Sequence, residues 1–261
     1  MTIGTLAKQA REFSRALDDE KHALKQDDFG WYPYGTLNNF DHLRALLGKT
    51  KHEDVLSLAV DGAIADIGAA DGDTAFFLES LGYSVDAIDY PPTNYNGCRG
   101  LRVLREARKS AIGIHEIDLD AHFELPGARY GLAFFLGILY HLKNPYGAME
   151  SLSRIARHAL VSTRVTRYNV AIERQGQQGL NSKRVELTDI PAAYLVDSHE
   201  CNNDPTNFWM FSESGLKRLF DRCGWDVLEY TSLGDTKKSD PATAEHDERA
   251  FCLLRSRHWQ P

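Results

Sequence analysis

The chain has 261 residues, 43% of them hydrophobic, and this length and composition predict an α/β domain with additions around one main core. Its 30 basic and 37 acidic residues give a formal net charge of -7, which provides no overall attraction to nucleic acid or to an anionic membrane. The cysteines are widely spaced and form neither a zinc-ligand pattern nor a disulfide framework; they are Cys98, Cys201, Cys223 and Cys252. We therefore expect no metal and the reduced thiols of a cytoplasmic protein.

Residues 1–52 are interpreted as an N-terminal helical and aromatic segment. Periodic Leu, Phe and Ala predict an amphipathic helix over about 3–25, without the apolar core of a signal peptide. The aromatic segment, DDFGWYPYG at 27–35, ends this helix. A short helix follows at NNFDHLRALLG, with Asn38 or Asn39 as N-cap and Gly48 as C-cap. No run in the chain reaches the roughly 18 apolar residues of a membrane span, so no membrane partner is expected.

Residues 53–261 are interpreted as one domain in which short β-rich runs alternate with helical runs. The order is AIADIG, DTAFFLESLG, SVDAID, a helix near 97–109, GIHEID, YGLAFFLG, a helix near 144–157 and HALVSTRV. This rhythm predicts a Rossmann-like, doubly wound, mostly parallel sheet of seven strands with helices on both faces. Residues of about 166–206 are polar and lack a period, which indicates an insertion or lid. A helix at SESGLKRLFDRCG and strands at WDVLEYTSLG and AFCLLRS complete the domain.

The stretch IADIGAADGD, at 64–73, predicts a strand that runs into a nucleotide-binding turn. A dinucleotide fingerprint starting at Gly68 would need glycine at two positions that hold Ala70 and Asp73. A pyrophosphate beside the three aspartates of this stretch would be repelled, by about 3 kcal/mol for each pair of like charges about 5 Å apart. A cationic ligand suits the stretch better, and S-adenosyl-L-methionine (S-adenosylmethionine), with its sulfonium and ammonium, is such a ligand.

The same stretch resembles the first motif of the class I methyltransferases. That motif is an acidic residue followed by Gly-x-Gly-x-Gly, and here the places hold Asp66, Gly68, Ala70 and Gly72, so that only Ala70 departs. The resemblance implies S-adenosylmethionine as cofactor. The alternative is a tight strand-to-helix connection with no ligand.

Later residues fall in the order that this resemblance requires. Asp89 ends the second strand, where an acidic side chain can accept hydrogen bonds from the ribose hydroxyls. By the resemblance, Asp118 and Leu119 follow the third strand and contact adenine. Alternatively, Asp89 only ends a strand and Asp118 only caps a turn.

A second resemblance rests on FLGILYHLKNP at 135–145, supported by NFWMFS at 207–212. Both are similar to segments of the tRNA wobble-uridine carboxymethyltransferases and of the uncharacterised methyltransferases grouped with them. This implies that Leu136 lies near the adenosine or sulfonium and that Tyr140 approaches the transferred group. The carboxymethyltransferases hold an extra carboxylate with basic residues. Here Lys237 or Lys238 can stand in for an arginine of that family, but Asn39 stands near the place of a lysine. The loss of this one cation favours methyl over carboxymethyl transfer.

Methyl transfer from a sulfonium is an in-line displacement that depends on alignment in a site closed to water. His141 is the candidate general base, and Tyr140 a wall or hydrogen-bond donor; alternatively, His141 hydrogen-bonds backbone. The predicted acceptor pocket draws on five residues that converge on one sheet edge, although aromatic residues there also serve packing: Trp31, Tyr34, Arg164, Asn207 and Trp209. Arg164 and Arg167 suit an anionic acceptor, and the 166–206 insertion is the natural lid.

Three functional hypotheses follow. The first is a methyltransferase acting on a small or medium organic acceptor. The second is a tRNA-modifying enzyme, which is favoured only by a basic stripe of four arginines at three-residue spacing: Arg99, Arg102, Arg105 and Arg108. Such a stripe is alternatively a solvated helix face. The third is a module that binds the cofactor without catalysis.

Overall fold

The structure is a computed structural model that describes residues 1–24, 27–59, 62–121, 124–125, 129–169, 185–242 and 244–259. The α-helices are α1 (Ile3–Ala23), α2 (Asn39–Leu47), α3 (Asp73–Ser80), α4 (Arg99–Arg108), α5 (Pro145–Ile155) and α6 (Glu213–Arg222). The strands are β1 (Ala63–Ile67), β2 (Val85–Asp89), β3 (Gly113–Glu116), β4 (Tyr130–Leu136), β5 (Ala156–Val165), β6 (Ala193–Leu195), β7 (Trp209–Phe211), β8 (Trp225–Gly234) and β9 (Glu248–Ser256). In the part of the chain so described, no helix is long and apolar enough to cross a membrane.

Seven strands form the main row of the sheet, in the order β3, β2, β1, β4, β5, β9, β8. All neighbours are parallel except that β9 is antiparallel to both β5 and β8. The prediction of a mostly parallel, Rossmann-like sheet is therefore confirmed. The carboxyl ends of β1, β2, β4 and β5 meet at one edge, where ligands bind in open α/β sheets.

Strands β6 and β7 extend the sheet beyond this carboxyl edge. Val165, the last residue of β5, pairs with Phe211 of β7 and also with Glu248 of β9. Because β9 occupies one side of β5, β7 lies on the side that β4 uses as far as Ser162. The sequence did not indicate these strands, and β6 lies within the predicted insertion; residues 170–184 of that insertion lie outside the described residues.

Helices cover both faces of the sheet because the central strands are apolar on both sides. Consecutive Phe134 and Phe135 of β4 illustrate this, since successive side chains of a strand point to opposite faces. Phe134 belongs to the cluster that includes residues of α1 to α4, and Phe135 to the cluster that includes residues of α5 and α6. The predicted helices on both faces are thus observed.

Two local features explain the helices that precede β1. The Thr2 hydroxyl accepts the Thr5 N–H at 3.4 Å and so caps α1. Asn38 precedes α2 as predicted, but its side chain makes no capping hydrogen bond, because a 3-10 turn at Thr36–Asn38 already gives it helical backbone angles. Gly48 ends α2 as predicted, with its N–H donating to the Arg44 carbonyl at 3.0 Å.

Candidate functional site

The turn between β1 and α3 has left-handed backbone at three of the predicted cofactor residues. The φ angles are +74° at Gly68, +53° at Ala70 and +87° at Gly72. A Cβ on Gly68 would overlap the Ile138 side chain, and one on Gly72 would overlap Leu101, so packing as well as φ requires glycine there. Ala70 has room for its methyl group and adopts a conformation that costs an L-residue about 1 kcal/mol.

The backbone donors of this turn are used within the protein. The N–H groups of Gly68 and Ala69 donate to the Ile88 carbonyl at 2.9 and 3.2 Å, and the Ala70 N–H donates to the Asp89 carboxylate at 2.7 Å. A phosphate-binding turn instead directs such donors at its ligand. The geometry therefore agrees with the sequence in disfavouring a dinucleotide.

Asp66, near the end of β1, is buried, with 6% of its surface exposed. Its Oδ2 has no hydrogen-bond partner among the described residues. Burial raises the pKa of Asp66 from 3.8 to about 7; the Ala75 N–H opposes this shift, while nearby Asp89 and Asp73 add to it. A buried carboxylate oxygen without a donor is costly, and this one is available to a donor on a ligand.

Asp89, at the end of β2, accepts backbone N–H groups on both oxygens. Its Oδ1 accepts from Tyr90 and its Oδ2 from Ala70, each at 2.7 Å. Burial raises the pKa of Asp89, and these hydrogen bonds oppose the shift. The Asn94 side chain also hydrogen-bonds this carboxylate. Each carboxylate oxygen has two lone pairs, so one of the four acceptor positions remains for another donor. The side chain thus holds the turn and can still accept from a ligand.

The residues after β3 have ordinary structural partners. Asp118 Oδ1 accepts the Asp120 N–H at 2.9 Å, which is the turn-capping arrangement that the sequence left open. Leu119 is buried in the cluster on the α5 and α6 face. Leu136 ends β4 and packs, half-buried, against the cluster on the other face.

Two of the three carboxylates in the IADIGAADGD stretch are already paired. Lys21 of α1 is buried, and its Nζ lies 2.7 and 3.0 Å from the two oxygens of Asp73 and 3.6 Å from Asp71 Oδ2. Asp71 also accepts the Tyr32 N–H and the Asn96 side-chain amide, each at 2.7 Å. Asp66 is therefore the carboxylate of this stretch that retains a partnerless oxygen.

Tyr140 and His141 lie in a 3-10 turn, Leu139–His141, just after β4. Their ring centroids are 4.1 Å apart. His141 Nδ1 lies 2.9 Å from the Thr206 carbonyl oxygen, which can only accept, so Nδ1 carries the proton in this hydrogen bond. Burial lowers the pKa of His141, which favours the neutral ring with a lone pair on Nε2. Both the catalytic and the structural interpretation of His141 agree with this geometry.

Arg249 is a site residue that the sequence reasoning missed. Its guanidinium carbon lies 5.7 Å from the centre of the Tyr140 ring, and it hydrogen-bonds the Tyr140 side chain. The predicted Arg164 is 4% exposed and lies 2.7 Å from Asp247, which is also 3.6 Å from Arg249. The missed signal was an arginine at the start of an apolar final strand, which places it at the carboxyl edge because that strand is antiparallel.

Within the aromatic segment, Tyr32 is the tyrosine that reaches the site. Burial raises the pKa of Tyr32 to about 12, with further electrostatic contributions from Tyr140 and Asp89. Tyr34, which was predicted instead, is 70% exposed and packs edge-on against the Tyr32 ring at 5.4 Å. Trp31 packs beside Lys21, whose Nζ is 5.7 Å from the indole centre.

The predicted residues near β7 form a wall beside Tyr140. The Phe208 N–H donates to the Tyr140 carbonyl at 2.9 Å. Asn207 is buried; its Nδ2 donates to the Cys201 carbonyl at 3.1 Å, and its Oδ1 has no hydrogen-bond partner among the described residues. Trp209 Nε1 donates to the Lys143 carbonyl at 3.3 Å, which indicates a packing role.

The basic residues weighed for other functions lie elsewhere. Three arginines of the α4 stripe form ion pairs: Arg99 with Asp28, Arg102 with Glu116, and Arg108 with Glu20. Lys237 and Lys238 are exposed on a turn in which their N–H groups donate to Asp235. The stripe therefore connects elements of the fold, and Arg249 is the cation observed beside Tyr140.

Two cavities of the described chain lie outside this site. One, of about 170 Å³, lies between the starts of α5 and α6 and β6, and the other, of about 10 Å³, lies beside Arg167 and Glu248. Neither is lined by the turn or by Tyr140. The aromatic segment is attached to the turn by the Tyr32 N–H, which donates to Asp71. Among the residues that the structure describes, no group of three His, Cys, Asp or Glu could hold a metal ion.

No family model matches the sequence, and no curated protein matches it. Among solved structures, the N-terminal domain of EvdMO1 with SAH bound is similar, with a TM-score of 0.53 and 14% identity over 98% of each chain. The chain spans 47% of full-length EvdMO1. The [4+2]-cyclase SpnF has a TM-score of 0.54 and 11% identity over 98% of this chain and 97% of its own. A candidate methyltransferase of Bacillus halodurans has a TM-score of 0.52 and 12% identity over 78% of this chain and 98% of its own. At these identities the likeness establishes the fold alone.

Proposed function

We propose that the protein binds S-adenosylmethionine at the turn after β1 and transfers its methyl group to a small or medium organic acceptor. The observation that carries the proposal is the buried, partnerless oxygen of Asp66 beside a left-handed turn whose amide donors are used internally. Such a site accepts hydrogen bonds and favours positive charge, which suits a sulfonium and an ammonium. The similar fold of an SAH-bound domain supports the same assignment.

The residues at the carboxyl edge fit the parts of this cofactor. Asp89 has one acceptor position left for a ribose hydroxyl, and the second oxygen of Asp118 is available to the adenine amine. Leu119 and Leu136 supply apolar surface for the adenosine. Gly68, Ala70 and Gly72 shape the turn against which the amino acid part would lie.

When bound, the cofactor supplies an electrophilic methyl group, and the protein aligns the acceptor and excludes water. The aromatic walls available for this are Tyr140, which is buried, and Tyr32, which is half-buried. His141, neutral with its proton on Nδ1, can take a proton at Nε2 from an acceptor that must lose one. This chemistry requires no group beyond the cofactor and these side chains.

The acceptor is proposed to carry an anionic group. Arg249 and Arg164 both lie at the wall beside Tyr140, and together they share the carboxylate of Asp247. An arginine can engage a second carboxylate while retaining one partner, because the guanidinium has five donors. Trp31, Tyr34 and Trp209 are assigned to packing around this pocket, and Asn207 Oδ1 remains as a polar group for the acceptor.

A second candidate is carboxymethyl transfer, and one observation favours it. Arg249 supplies a cation beside Tyr140, a role that the sequence analysis had assigned to Lys237 or Lys238. The lysine expected near Asn39 is still absent from the sequence. Methyl transfer therefore stays the first candidate, and neither the α4 ion pairs nor the net charge supports tRNA as the acceptor.

Calorimetry tests the proposal directly. We expect S-adenosylmethionine and S-adenosylhomocysteine to bind with about micromolar affinity and NAD to give no heat. Binding of carboxy-S-adenosylmethionine to the same protein and to Arg249→Met decides the second candidate. If the protein binds this cofactor more tightly than S-adenosylmethionine, and Arg249→Met abolishes the difference, carboxymethyl transfer is supported. Arg255→Met is the matched control, because Arg255 lies on the same strand and pairs with Asp226.

Turnover separates an enzyme from a binding module. The protein is incubated with S-adenosylmethionine and a panel of carboxylate- and phosphate-bearing small molecules, and S-adenosylhomocysteine is quantified by mass spectrometry. Release above the acceptor-free rate identifies a methyltransferase. Tight binding without release for any acceptor would favour the non-catalytic module.

A further inference from the structure

Lys21 is a charged residue on the otherwise apolar buried stripe of α1. The other buried positions of this helix are Ile3, Leu6, Ala7, Ala10 and Leu17. The Lys21 side chain is 8% exposed, and its ammonium lies 2.7 Å from Asp73 and 3.6 Å from Asp71. Burying a lysine is costly unless its charge is paired, so this contact determines where the end of α1 can sit.

The carboxylates that hold Lys21 belong to the turn and helix start on which the cofactor proposal rests. Asp73 is the first residue of α3 and directly follows Gly72. Asp71 lies within the turn and is 1% exposed. Through these two side chains, α1 is fixed to the same backbone that carries the left-handed residues Gly68, Ala70 and Gly72.

Asp71 extends the connection to the aromatic segment. It accepts the Tyr32 N–H at 2.7 Å and the Asn96 amide at 2.7 Å, and that amide also donates to the Gly30 carbonyl at 3.2 Å. Tyr32 is the tyrosine of that segment that interacts electrostatically with Tyr140 and Asp89 at the carboxyl edge. One buried network therefore joins α1, the turn and the aromatic segment.

We propose that Lys21 is a positioning residue for the cofactor site, an inference that rests on the proposed function. Its single positive charge attracts the carboxylates of both Asp71 and Asp73 and thereby holds the turn in its left-handed form with Tyr32 attached to it. Because the network is shared, docking of α1 and binding of the cofactor strengthen each other to the same extent. The N-terminal helix is then part of the binding site although it contacts no reacting atom.

This role differs from that of a salt bridge that only stabilises the fold. Arg11 supplies the comparison, because it lies on the same helix and pairs with Asp41 of α2, away from the turn. Loss of the Arg11 pair affects the attachment of α1 without touching Asp71 or Asp73. Loss of the Lys21 ammonium also removes the cation from two buried carboxylates at the proposed cofactor site.

The test uses the full chain with Lys21→Gln, Lys21→Arg and the control Arg11→Gln. Calorimetry with S-adenosylhomocysteine should show affinity at least about tenfold weaker for Lys21→Gln, largely recovered in Lys21→Arg, and within about twofold of wild type for Arg11→Gln. Hydrogen exchange gives a second readout. The ligand should slow exchange of the Tyr32 amide and of α1 amides in wild type and Arg11→Gln, but not in Lys21→Gln.

The outcomes are distinct. Wild-type affinity in Lys21→Gln would overturn the positioning role and leave the proposed function standing, whereas no binding by wild type would overturn both. If Lys21→Gln and Arg11→Gln lose the same affinity for S-adenosylhomocysteine, Lys21 has only a structural role. If Lys21→Gln does not fold, Asp71→Asn carries the test, because it spares the Lys21 pair with Asp73; unchanged affinity and unchanged Tyr32 exchange in that variant would equally overturn the proposal.

Discussion

The Asp89 carboxylate accepts the Ala70 N–H at 2.7 Å, so the side chain proposed to hold the ribose also holds the turn beside it. The two roles are compatible because the N–H uses one lone pair of one oxygen. They also mean that a change at Asp89 acts on affinity through both the direct contact and the shape of the turn.

Asp89→Ala should weaken S-adenosylmethionine affinity at least about tenfold, since it removes the ribose acceptor and releases the Ala70 N–H. Calorimetry measures the affinity, and thermal unfolding shows that the variant is folded. Asp86→Ala is the matched control on the same strand, because Asp86 bonds His115 and Tyr130 instead. Unchanged affinity in Asp89→Ala would show that the ribose assignment is wrong.

The stability of the protein should depend on the charge of Asp66. Because burial raises its folded-state pKa from 3.8 to about 7, the folded state binds the proton more tightly than the unfolded state. The contribution to the free energy of unfolding is therefore favourable at low pH and is lost as pH rises through about 7. Asp66→Asn should be more stable than wild type by about 4 kcal/mol at about pH 8 and equal to it near pH 4.

Urea unfolding across this pH range measures the effect. In wild type, affinity for S-adenosylmethionine should rise as Asp66 ionises, and Asp66→Asn should lose this rise. A stability difference between the two proteins that does not change with pH would mean that the pKa of Asp66 is the same in the folded and unfolded states.

His141 should be neutral at neutral pH, with its proton on Nδ1. Burial lowers its pKa below 6.5, and the Thr206 carbonyl holds the Nδ1 proton. Long-range nitrogen NMR of labelled histidine reports both the tautomer and the titration. A proton on Nε2 would remove His141 as a base toward an acceptor.

Substitution separates the two interpretations of His141. His141→Asn keeps a donor near the Nδ1 position and loses the Nε2 lone pair. If His141 is the base, turnover with the best acceptor of the panel should fall about a hundredfold or more, while S-adenosylhomocysteine affinity is retained. Full turnover in His141→Asn would leave His141 with the structural role of bonding Thr206.

The arginines of α4 should not give the protein affinity for tRNA. Arg99, Arg102 and Arg108 each pair with a carboxylate, so few free cations remain for phosphates. Electrophoretic mobility shift at low and physiological salt should show no tRNA complex. A complex that weakens steeply with salt, and that Arg102→Ala together with Arg105→Ala abolishes, would reverse this conclusion.

The sequence predicted the parts of the structure that depend on local pattern. The alternation of apolar strands with amphipathic helices gave the central sheet, because burial on both faces requires continuous apolar runs such as Tyr130–Leu136. The turn after β1 was recognisable because Gly68 and Gly72 stand where the backbone becomes left-handed.

The contacts that complete the site join residues far apart in sequence, and no pattern specifies them. From the sequence, Lys21 is one more charged residue on a solvated helix face, and only the fold shows that it contacts Asp73. From the sequence, Arg249 is a polar residue at the start of a strand. It lies beside Tyr140 because β9 pairs antiparallel to β5. Strand β7 was missed because three residues are too short for a period.

The pairing of Val165 with both Phe211 and Glu248 has a consequence for how such a protein can diversify. The chain leaves the sheet after Val165 and returns at Phe211 to a place beside its point of departure. The length of the intervening chain therefore has little effect on the strand order, since closing a longer loop costs only about 0.6 kcal/mol per doubling. A segment attached in this way can be exchanged or lengthened without a change in strand order, which would let the proposed acceptor side differ while the proposed cofactor side stays the same.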